Sequence, residues 1–366
     1  FIFFNPFLWL LSNRYMSDLF GLSVLIIGVY YFLDYVANKK KLSINLMLVF
    51  FGILIGVRVS FAPFFIPAII YLLINDSTYR NCISIFILSI SIFIWLFPLI
   101  LTTGLDNFVN LFFKHFNGHF FDWGGSVLSD NSTFCMRFIK IFESLWADSL
   151  GGWWLNRHWS TLLLSSFWIF FLLITLVRIN QFNIRKEVYL IISCIIVYFL
   201  WIYFFQNIIY KPRHVIPLIP FILMFLSYGI SQYFNHSNLY RFIIASFLLC
   251  LLFITINLAW QHQSPTALSQ LKTYLINNKS NLKVLYSSSL INSYIKKHVG
   301  GESIVYLDEK SRDRLYKYYN QDYNIFSTIN IDKILDQKGK KETFFHNPYV
   351  NRLWPRLKLY QYNSSY

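Results

Sequence analysis

The segment KHFNGHFFDWGGS (Lys114–Ser126) is the centre of a long polar stretch, Leu101–Trp159, that separates two groups of apolar segments. A simple connection between two helices would be shorter and plainer. This stretch instead combines titratable groups, aromatic rings and paired glycines, and we interpret it as part of an active site at a membrane surface. Its candidate functional residues are His115, His119, Asp122, Trp123 and Gly124.

Three interpretations of these side chains stay open. His115 and His119 are four residues apart, a spacing that can hold a divalent metal on one helical face, although a glycine between them lowers helix propensity. Alternatively, His119 and Asp122 serve in general acid–base chemistry. His115, Trp123 and Gly124 then belong to the loop that binds the substrate. The third interpretation is plain loop packing, with the tryptophans in an interfacial aromatic belt.

The composition indicates a polytopic membrane protein. The chain has 366 residues, of which 56% are hydrophobic and only 13% are charged, whereas a soluble domain is typically about 25% charged. The net charge of +15 lies mostly in short loops and in the C-terminal tail. Orientation in the membrane and anionic lipids explain this charge better than nucleic acid, which we exclude as a partner. The four cysteines offer no CxxC metal spacing.

Hydropathy predicts about eight full membrane spans after a partial first one. A run of apolar residues split at Arg58 is too long for one crossing of about 20 residues, so we interpret it as two short spans. The chain has no initiating Met and opens on apolar residues, so we expect segments upstream of residue 1. The predicted spans are Phe1–Leu11 in part, Leu19–Val36, Ile44–Val57, Phe61–Ile74, Cys82–Leu101, Thr161–Val177, Val188–Phe205, Val215–Ile230 and Phe242–Trp260.

The basic residues predict the orientation of these spans. Cytoplasmic loops carry an excess of Lys and Arg, and taking Lys39–Lys41 as cytoplasmic puts most basic loops on that side. The opposite face then receives NRYMSD (Asn13–Asp18), Arg58, the long loop at residues 102–160 and KPRH (Lys211–His214). Polar features that were not used to draw the topology therefore converge on one face.

The composition changes after residue 260, which predicts two domains. Residues 1–260 form the membrane module, and residues 261–366 form a small basic α/β domain on the same face as the long loop. In this second domain, Ser264 followed by Pro265 predicts a helix start. The predicted strands are LKVLYSS, SIVYL, YNIFST, ETFFHN and LKLYQY, with the helix LINSYIKKHV between the first two.

Isolated charges beside apolar spans are the remaining candidates. Asp18 at the mouth of a span is either a helix cap or a functional carboxylate. Arg58 either extends to the lipid headgroups or binds a carboxylate or phosphate. Lys211, Arg213 and His214 run against the positive-inside trend, and prolines break the backbone after them. An isoprenoid phosphate or pyrophosphate would suit this site, and lipid headgroups are the alternative.

Three strings carry a resemblance to a known family: NPFLWLLSNRYMSDLFGL (Asn5–Leu22), GHFFDWGGS (Gly118–Ser126) and KPRHVIPLIPFILMF (Lys211–Phe225). Together they resemble the GT-C superfamily, polytopic glycosyltransferases that use polyprenyl-phosphate-linked sugars. Protein O-mannosyltransferases and bacterial lipid A aminoarabinose transferases belong to it. The resemblance covers about residues 1–260; the second domain matches only in its location.

The resemblance implies a transfer reaction at the extracytoplasmic face of a bacterial inner membrane. It implies that Arg213, with Lys211 or Arg58, binds the phosphate of the donor, and that Asp18 is a secondary acidic residue. The principal carboxylate base of the family would then lie upstream of residue 1. The acceptor is a lipid, a glycan or a protein, and a divalent metal stays open. The competing hypothesis is a transporter or flippase of lipid-linked sugars, which also needs cations and broken helices.

Overall fold

A computed structural model describes the chain except for a set of short segments. For residues 78, 79, 119, 122, 232–234 and 261 it describes the backbone alone. Trp123 and Gly124, two of the predicted substrate-loop residues, therefore lie outside the described residues. The segments left out are 13–16, 123–126, 128–133, 156, 158, 178–184, 210, 235–237, 262, 301–303, 309–310, 322, 347–355 and 363–366.

The chain divides into two compact units, Phe1–Asn257 and Leu258–Tyr366. The first unit is helical. Its helices are α1 (Pro6–Ser12), α2 (Asp18–Asn38), α3 (Lys41–Arg58), α4 (Ile66–Asn75), α5 (Thr78–Thr103), α6 (Leu105–Asn117), α7 (Phe134–Glu143), α8 (Ser160–Val177), α9 (Lys186–Phe205), α10 (Ile219–Phe234) and α11 (Asn238–Gln261). Tighter 3-10 segments occupy Val59–Phe65 and Pro212–Leu218, and wider π-helical segments occupy Gly118–Asp122 and Ser144–Ser149.

Seven helical segments in the described residues are long and apolar enough to cross a membrane, so the chain is a multi-pass membrane protein. This number is lower than the predicted eight with a partial first span. Two of the predicted spans lie in one continuous helical run of 35 residues, and α1 has only seven residues. The candidate spans are Asp18–Asn38, Lys41–Asn75, Arg80–Thr103, Ser160–Val177, Lys186–Phe205, Pro212–Ser231 and Asn238–Trp260.

A tight turn makes α2 and α3 an antiparallel pair. Lys39, at the end of α2, adopts the left-handed conformation with φ 54°, and its N–H donates to the carbonyl of Tyr35. Only Lys39 and Lys40 separate the two helices. Because so short a connection reverses the chain, the end of α3 returns to the beginning of α2. Arg58, the last residue of α3, thereby reaches Asp18.

The chain reverses again at Arg58, inside the 35-residue run. Pro63 lies in the 3-10 segment that follows, and Pro67 lies in the first turn of α4, where proline is tolerated. Tyr71 near the end of α4 accepts a hydrogen bond at 3.1 Å from the Lys39 ammonium group. The end of α4 therefore lies beside the end of α2, at the opposite end of these helices from Arg58.

Small residues let α3 approach α5 closely. A side chain at Gly52 would overlap Ser91 of α5, and one at Gly56 would overlap the Trp95 ring. Trp95 donates its indole N–H to the carbonyl of Gly52 at 3.0 Å, and Ser91 donates to the Val49 carbonyl at 2.7 Å. Glycines four residues apart allow such packing between membrane helices, where lipid provides no hydrophobic driving force. This contact fixes the hairpin that carries Arg58.

The second unit contains a mixed five-stranded sheet with the strand order β2-β1-β3-β5-β4. Strand β1 lies between β2 and β3 and is parallel to both, whereas β5 is antiparallel to both β3 and β4. The elements are α12 (Ala267–Asn277), β1 (Val284–Tyr286), α13 (Ser289–Val299), β2 (Val305–Leu307), α14 (Arg312–Tyr319), β3 (Ile325–Ser327), α15 (Asp332–Leu335), β4 (Lys340–Phe345) and β5 (Arg356–Tyr362).

The predicted helix start at Ser264 and Pro265 is wrong by two residues. Thr266 is the N-cap of α12, and its hydroxyl accepts a hydrogen bond at 3.2 Å from the N–H of Ser269. Both Ser and Thr are good N-caps, and the hydrogen bond to the third helical residue favours Thr266 here. Proline then precedes the helix instead of occupying its first turn.

Candidate functional site

Asp18 and Arg58 form a buried ion pair. The Asp18 carboxylate is completely buried as the first residue of α2, where the helix dipole also favours negative charge. Its Oδ1 lies 2.6 Å from Nη2 of Arg58. Both residues were predicted as candidates from their isolated charge, and the α2–α3 hairpin brings them together.

Arg213 faces the other oxygen of the same carboxylate. Its Nη1 lies 3.9 Å from Oδ2 of Asp18, a longer ionic contact than that of Arg58. Arg213 is the second residue of the 3-10 segment Pro212–Leu218, which also contains Pro217, and proline inside a helix removes one of its backbone hydrogen bonds. The two guanidinium side chains retain 20% and 18% exposure, whereas the carboxylate side chain retains 1%. The two arginines are therefore partly accessible, whereas the carboxylate that they face is not.

Lys211 adds a third positive charge to this group. Burial lowers the pKa of the half-buried Lys211 ammonium group, and the positive charges of Arg213 and Arg58 lower it further. Lys211 therefore adds its positive charge to that of the two arginines that face Asp18. We call Arg58, Lys211, Arg213 and Asp18 the cationic cluster. Its excess positive charge makes it electrostatically suited to an anion.

His214 follows the cluster in sequence but is less accessible than the arginines. It retains 4% exposure, and its backbone carbonyl accepts a hydrogen bond at 3.0 Å from the hydroxyl of Tyr198 in α9. Another residue of α9, Trp201, donates its indole N–H to the Ser60 carbonyl at 3.1 Å. These two bonds tie α9 to both segments that carry the arginines. They make α9 the support on which the cluster is held.

Gly21 is a residue of the site that the sequence did not reveal. A Cβ atom there would lie 2.9 Å from Cβ of Arg58, closer than real side chains pack. The missing side chain lets α3 approach α2 one turn after Asp18. The Arg58 guanidinium also lies over the Phe61 ring, at 5.6 Å from its centroid. Arg58 is therefore positioned by a carboxylate, a glycine and an aromatic ring.

The structure describes only part of the predicted histidine and carboxylate group of the long loop. His115 is exposed on α6, and His119 and Asp122 belong to the π-helical segment Gly118–Asp122, where only their backbone is described. Among the residues that the structure describes, no group of three or more His, Cys, Asp or Glu side chains is arranged to hold a metal ion. His119 and Asp122 are not among the side chains described, so a metal site in this loop stays a prediction.

Other charged residues of the long loop bind groups within the protein, either on α9 or in the loop itself. Arg137 is fully buried on α7 and donates to the carbonyls of Tyr203 at 2.7 Å and Gln206 at 2.8 Å. These carbonyls end α9, where a cation is favoured by the helix dipole. Arg157 and Asp148 form a second buried pair at 2.5 Å. The charge in this part of the loop therefore holds the loop on the helices.

Gln206 is a buried polar group that has no hydrogen-bond partner for its side chain among the described residues. It retains 1% exposure, and neither its amide oxygen nor its amide nitrogen is bonded. Such a group is destabilising unless water or a ligand completes its bonds. It begins the turn that leads to Lys211, whose N–H donates to the Asn207 carbonyl at 3.2 Å.

The cationic cluster is thus the best-defined site in the described part of the chain. It unites Asp18, Arg58, Lys211 and Arg213, which the sequence analysis nominated separately. Its three basic side chains exceed its single carboxylate in charge, so the cluster suits an anion. No family model, no curated protein and no solved structure matches this chain.

Proposed function

We propose that the chain is a membrane glycosyltransferase that moves a sugar from a polyprenyl-phosphate donor to an acceptor on the extracytoplasmic face. The observation that carries the proposal is the cationic cluster, in which two arginines face one carboxylate and the charge of Lys211 adds to that of the arginines. An arginine fork matches the oxygens of a phosphate group in geometry and charge. The long apolar helices beside the cluster suit the isoprenoid chain of such a donor.

The cluster has a defined role in the proposed reaction. An oxygen of the acceptor attacks the anomeric carbon of the sugar, and the bond from that carbon to the phosphate oxygen breaks. The phosphate leaves with the electron pair, and Arg58, Arg213 and Lys211 stabilise its charge. A carboxylate or histidine receives the proton of the acceptor. His119 and Asp122 stay our candidates for that proton transfer.

Asp18 has a different role from a general base in this proposal. Both of its oxygens face guanidinium groups, at 2.6 and 3.9 Å. A carboxylate in that environment orients the two arginines and offsets part of their mutual repulsion. We therefore propose Asp18 as a positioning residue for the phosphate-binding arginines.

The distribution of the other basic residues supports the proposed orientation. Lys39 and Lys186 both approach Tyr71, and the Lys186 ammonium group lies 4.8 Å from the centre of its ring. α2 has 21 residues and is therefore about 30 Å long, the thickness of the bilayer core. The Lys39 end and the Asp18 end of α2 thus suit opposite membrane surfaces. The positive-inside rule then favours Asp18 on the extracytoplasmic side.

A transporter or flippase of lipid-linked sugars is the alternative function. Transporter sites lie near the middle of the membrane, at broken helices. The cationic cluster instead joins the first residue of α2, the last residue of α3 and two residues at the beginning of the Pro212–Ser231 span, Lys211 just before it and Arg213 as its second residue. This location at the ends of spans favours the transferase.

A labelled donor distinguishes the two functions. The natural protein is reconstituted in proteoliposomes with a radiolabelled polyprenyl-phosphate sugar, and membranes of the source cell supply the acceptor. We expect the label to leave the donor lipid in the wild type and to remain in it with Arg213→Ala. A donor that crosses the bilayer without being consumed would contradict the transferase and support the flippase.

The pH dependence of donor binding tests Lys211. Because its pKa is lowered, Lys211 loses its proton at a lower pH than an ordinary lysine. A bound phosphate favours the charged amine, so we expect donor affinity to fall as the pH rises through the lowered pKa. In Lys211→Arg the charge persists and the fall should disappear. The measurement is a binding titration with a phosphodiester probe, which has no second ionisation of its own; an identical pH profile in both proteins would remove Lys211 from the site.

A further inference from the structure

The helix α6 exposes an apolar stripe and has no buried residue in the structure. Leu105, Val109, Phe112 and Phe116 recur at the spacing of one helical face, and each is at least 40% exposed. Asn107, Asn110, Lys114 and Asn117 lie on the other face. A helix of this kind, apolar along one side and polar along the other, is typical of the membrane–water interface.

The position of α6 in the chain makes its apolar stripe continuous with a membrane span. Gly104 alone separates it from α5, and its φ of 78° is a conformation that glycine adopts without strain. The α5 span has the smallest buried share, 11%, of the candidate spans in the described residues. The chain therefore passes from the least buried of these spans directly into α6, with Gly104 as the one residue between the two helices.

The helix α7 has an inverted distribution of polarity. Its charged Arg137 is fully buried, whereas Phe134, Phe138 and Phe142 form an outer ridge that is at least 50% exposed. A soluble loop would bury the rings and expose the guanidinium group. The arrangement is reasonable where the surroundings of the helix are lipid.

Contacts with α9 fix α7 near the end of a second span. The Tyr203 hydroxyl donates to the Phe134 carbonyl at 3.1 Å, and the Phe138 ring lies 6.5 Å from the Phe199 ring. Together with the bonds from Arg137 to the end of α9, these contacts hold α7 beside the last turns of that helix. α7 also contacts the Pro212–Leu218 segment, which carries Arg213 of the cationic cluster.

We propose that α6 and α7 form an interfacial ledge, a pair of helices whose Phe rows lie in the headgroup layer of the leaflet beside the cationic cluster. The bilayer is the occupant of these apolar faces because α6 continues the α5 span and α7 is bonded to the α9 span. The ledge sets the cluster at the depth where a lipid phosphate lies. It also makes α6 and α7 membrane-bound elements, whatever reaction the chain performs.

Spin labels measure the depth of the ledge directly. Single cysteines replace Phe112, Phe138 and, as the control on the polar face of α6, Asn110, after Cys82, Cys135, Cys194 and Cys250 are changed to serine. The protein is studied in nanodiscs of phosphatidylethanolamine and phosphatidylglycerol by power saturation with oxygen and with a water-soluble nickel complex. At Phe112→Cys and Phe138→Cys we expect oxygen to relax the spin label more strongly than the nickel complex does. At Asn110→Cys we expect the nickel complex to be the more effective reagent. Dominance of nickel at all positions would overturn the ledge, as would protection of both Phe positions from both reagents, which indicates a protein partner.

Photolabelling keeps the test independent of the cysteine changes. The wild-type protein in the same nanodiscs is irradiated with a phospholipid that has a diazirine near its headgroup, and labelled peptides are identified by mass spectrometry. Label in residues 105–117 and 134–143 is expected. Label confined to the membrane spans would contradict the proposal.

Discussion

Replacing Arg58 with methionine is expected to cause the largest loss of stability of any single change at the site. The Asp18 carboxylate would remain buried, and among the residues that the structure describes the more distant Arg213, at 3.9 Å, would be left to offset its charge. Removing one partner of a buried ion pair costs about 3–5 kcal/mol, and the partial exposure of Arg58 favours the lower value of about 3 kcal/mol. Thermal unfolding in detergent, followed by tryptophan fluorescence, measures this loss.

The double variant Asp18→Asn/Arg58→Met separates folding from phosphate binding. Removing the carboxylate as well leaves no uncompensated negative charge, so we expect most of the lost stability to return. Binding of a short-chain polyprenyl phosphate should not return, because a phosphate-binding guanidinium is still missing. The control is Arg241→Met, which removes an exposed charge from α11. A double variant as unstable as Arg58→Met would assign Arg58 to packing, and one that binds phosphate like the wild type would exclude it from the site.

Gly21→Ala is expected to weaken phosphate binding without removing any charge. The new methyl group would lie 2.9 Å from Cβ of Arg58, so α2 and α3 must separate or Arg58 must move. Overpacking of this kind typically costs about 1–3 kcal/mol of stability. Because the Arg58 guanidinium moves with its backbone, affinity for the phosphate probe should fall about tenfold, the equivalent of 1.4 kcal/mol.

Gly28→Ala is the matched control for this change. It lies on the same helix, and its Cβ would meet the tip of the Phe65 ring at 2.8 Å. This approach is equally close, but it lies about two turns after Gly21 along α2 and involves no basic residue. We expect Gly28→Ala to lower stability and to leave phosphate affinity unchanged. If Gly21→Ala and Gly28→Ala bind the phosphate probe with equal affinity, the approach of α3 to Gly21 does not position Arg58.

The sequence predicted the features that depend on composition and isolated charge. Apolar runs revealed the membrane class, and Asp18, Arg58 and Lys211–His214 were conspicuous because charges are rare beside such runs. Their convergence followed from topology, since alternating spans return the chain to the same surface. The contact distances needed the structure. The sequence also predicted a division of the 35-residue run Lys41–Asn75 at Arg58, which is the residue where the chain reverses. By length and composition alone, that run counts as a single candidate span.

The sequence could not predict features that depend on which helices are neighbours. A glycine in an apolar helix has many possible causes, so Gly21 is indistinguishable from Gly28 until Arg58 is found against it. Arg137 is a titratable residue of the long loop with no sequence signal that marks its partners, and it binds the carbonyls that end α9. Its partners are backbone atoms about 70 residues away, and backbone atoms leave no signal in a sequence.

The most direct test of the central claim is whether the cationic cluster binds the phosphate of a polyprenyl donor. A short-chain polyprenyl phosphate and the corresponding alcohol are titrated into nanodiscs that contain the wild type, Arg213→Gln or the exposed-charge control Arg241→Gln. We predict that the wild type and the control bind the phosphate alike, that the alcohol binds much more weakly, and that Arg213→Gln loses at least tenfold in affinity, as expected for one charged hydrogen bond of about 1.5–3 kcal/mol. Equal affinity in all three proteins, or equal affinity for phosphate and alcohol, would contradict the account.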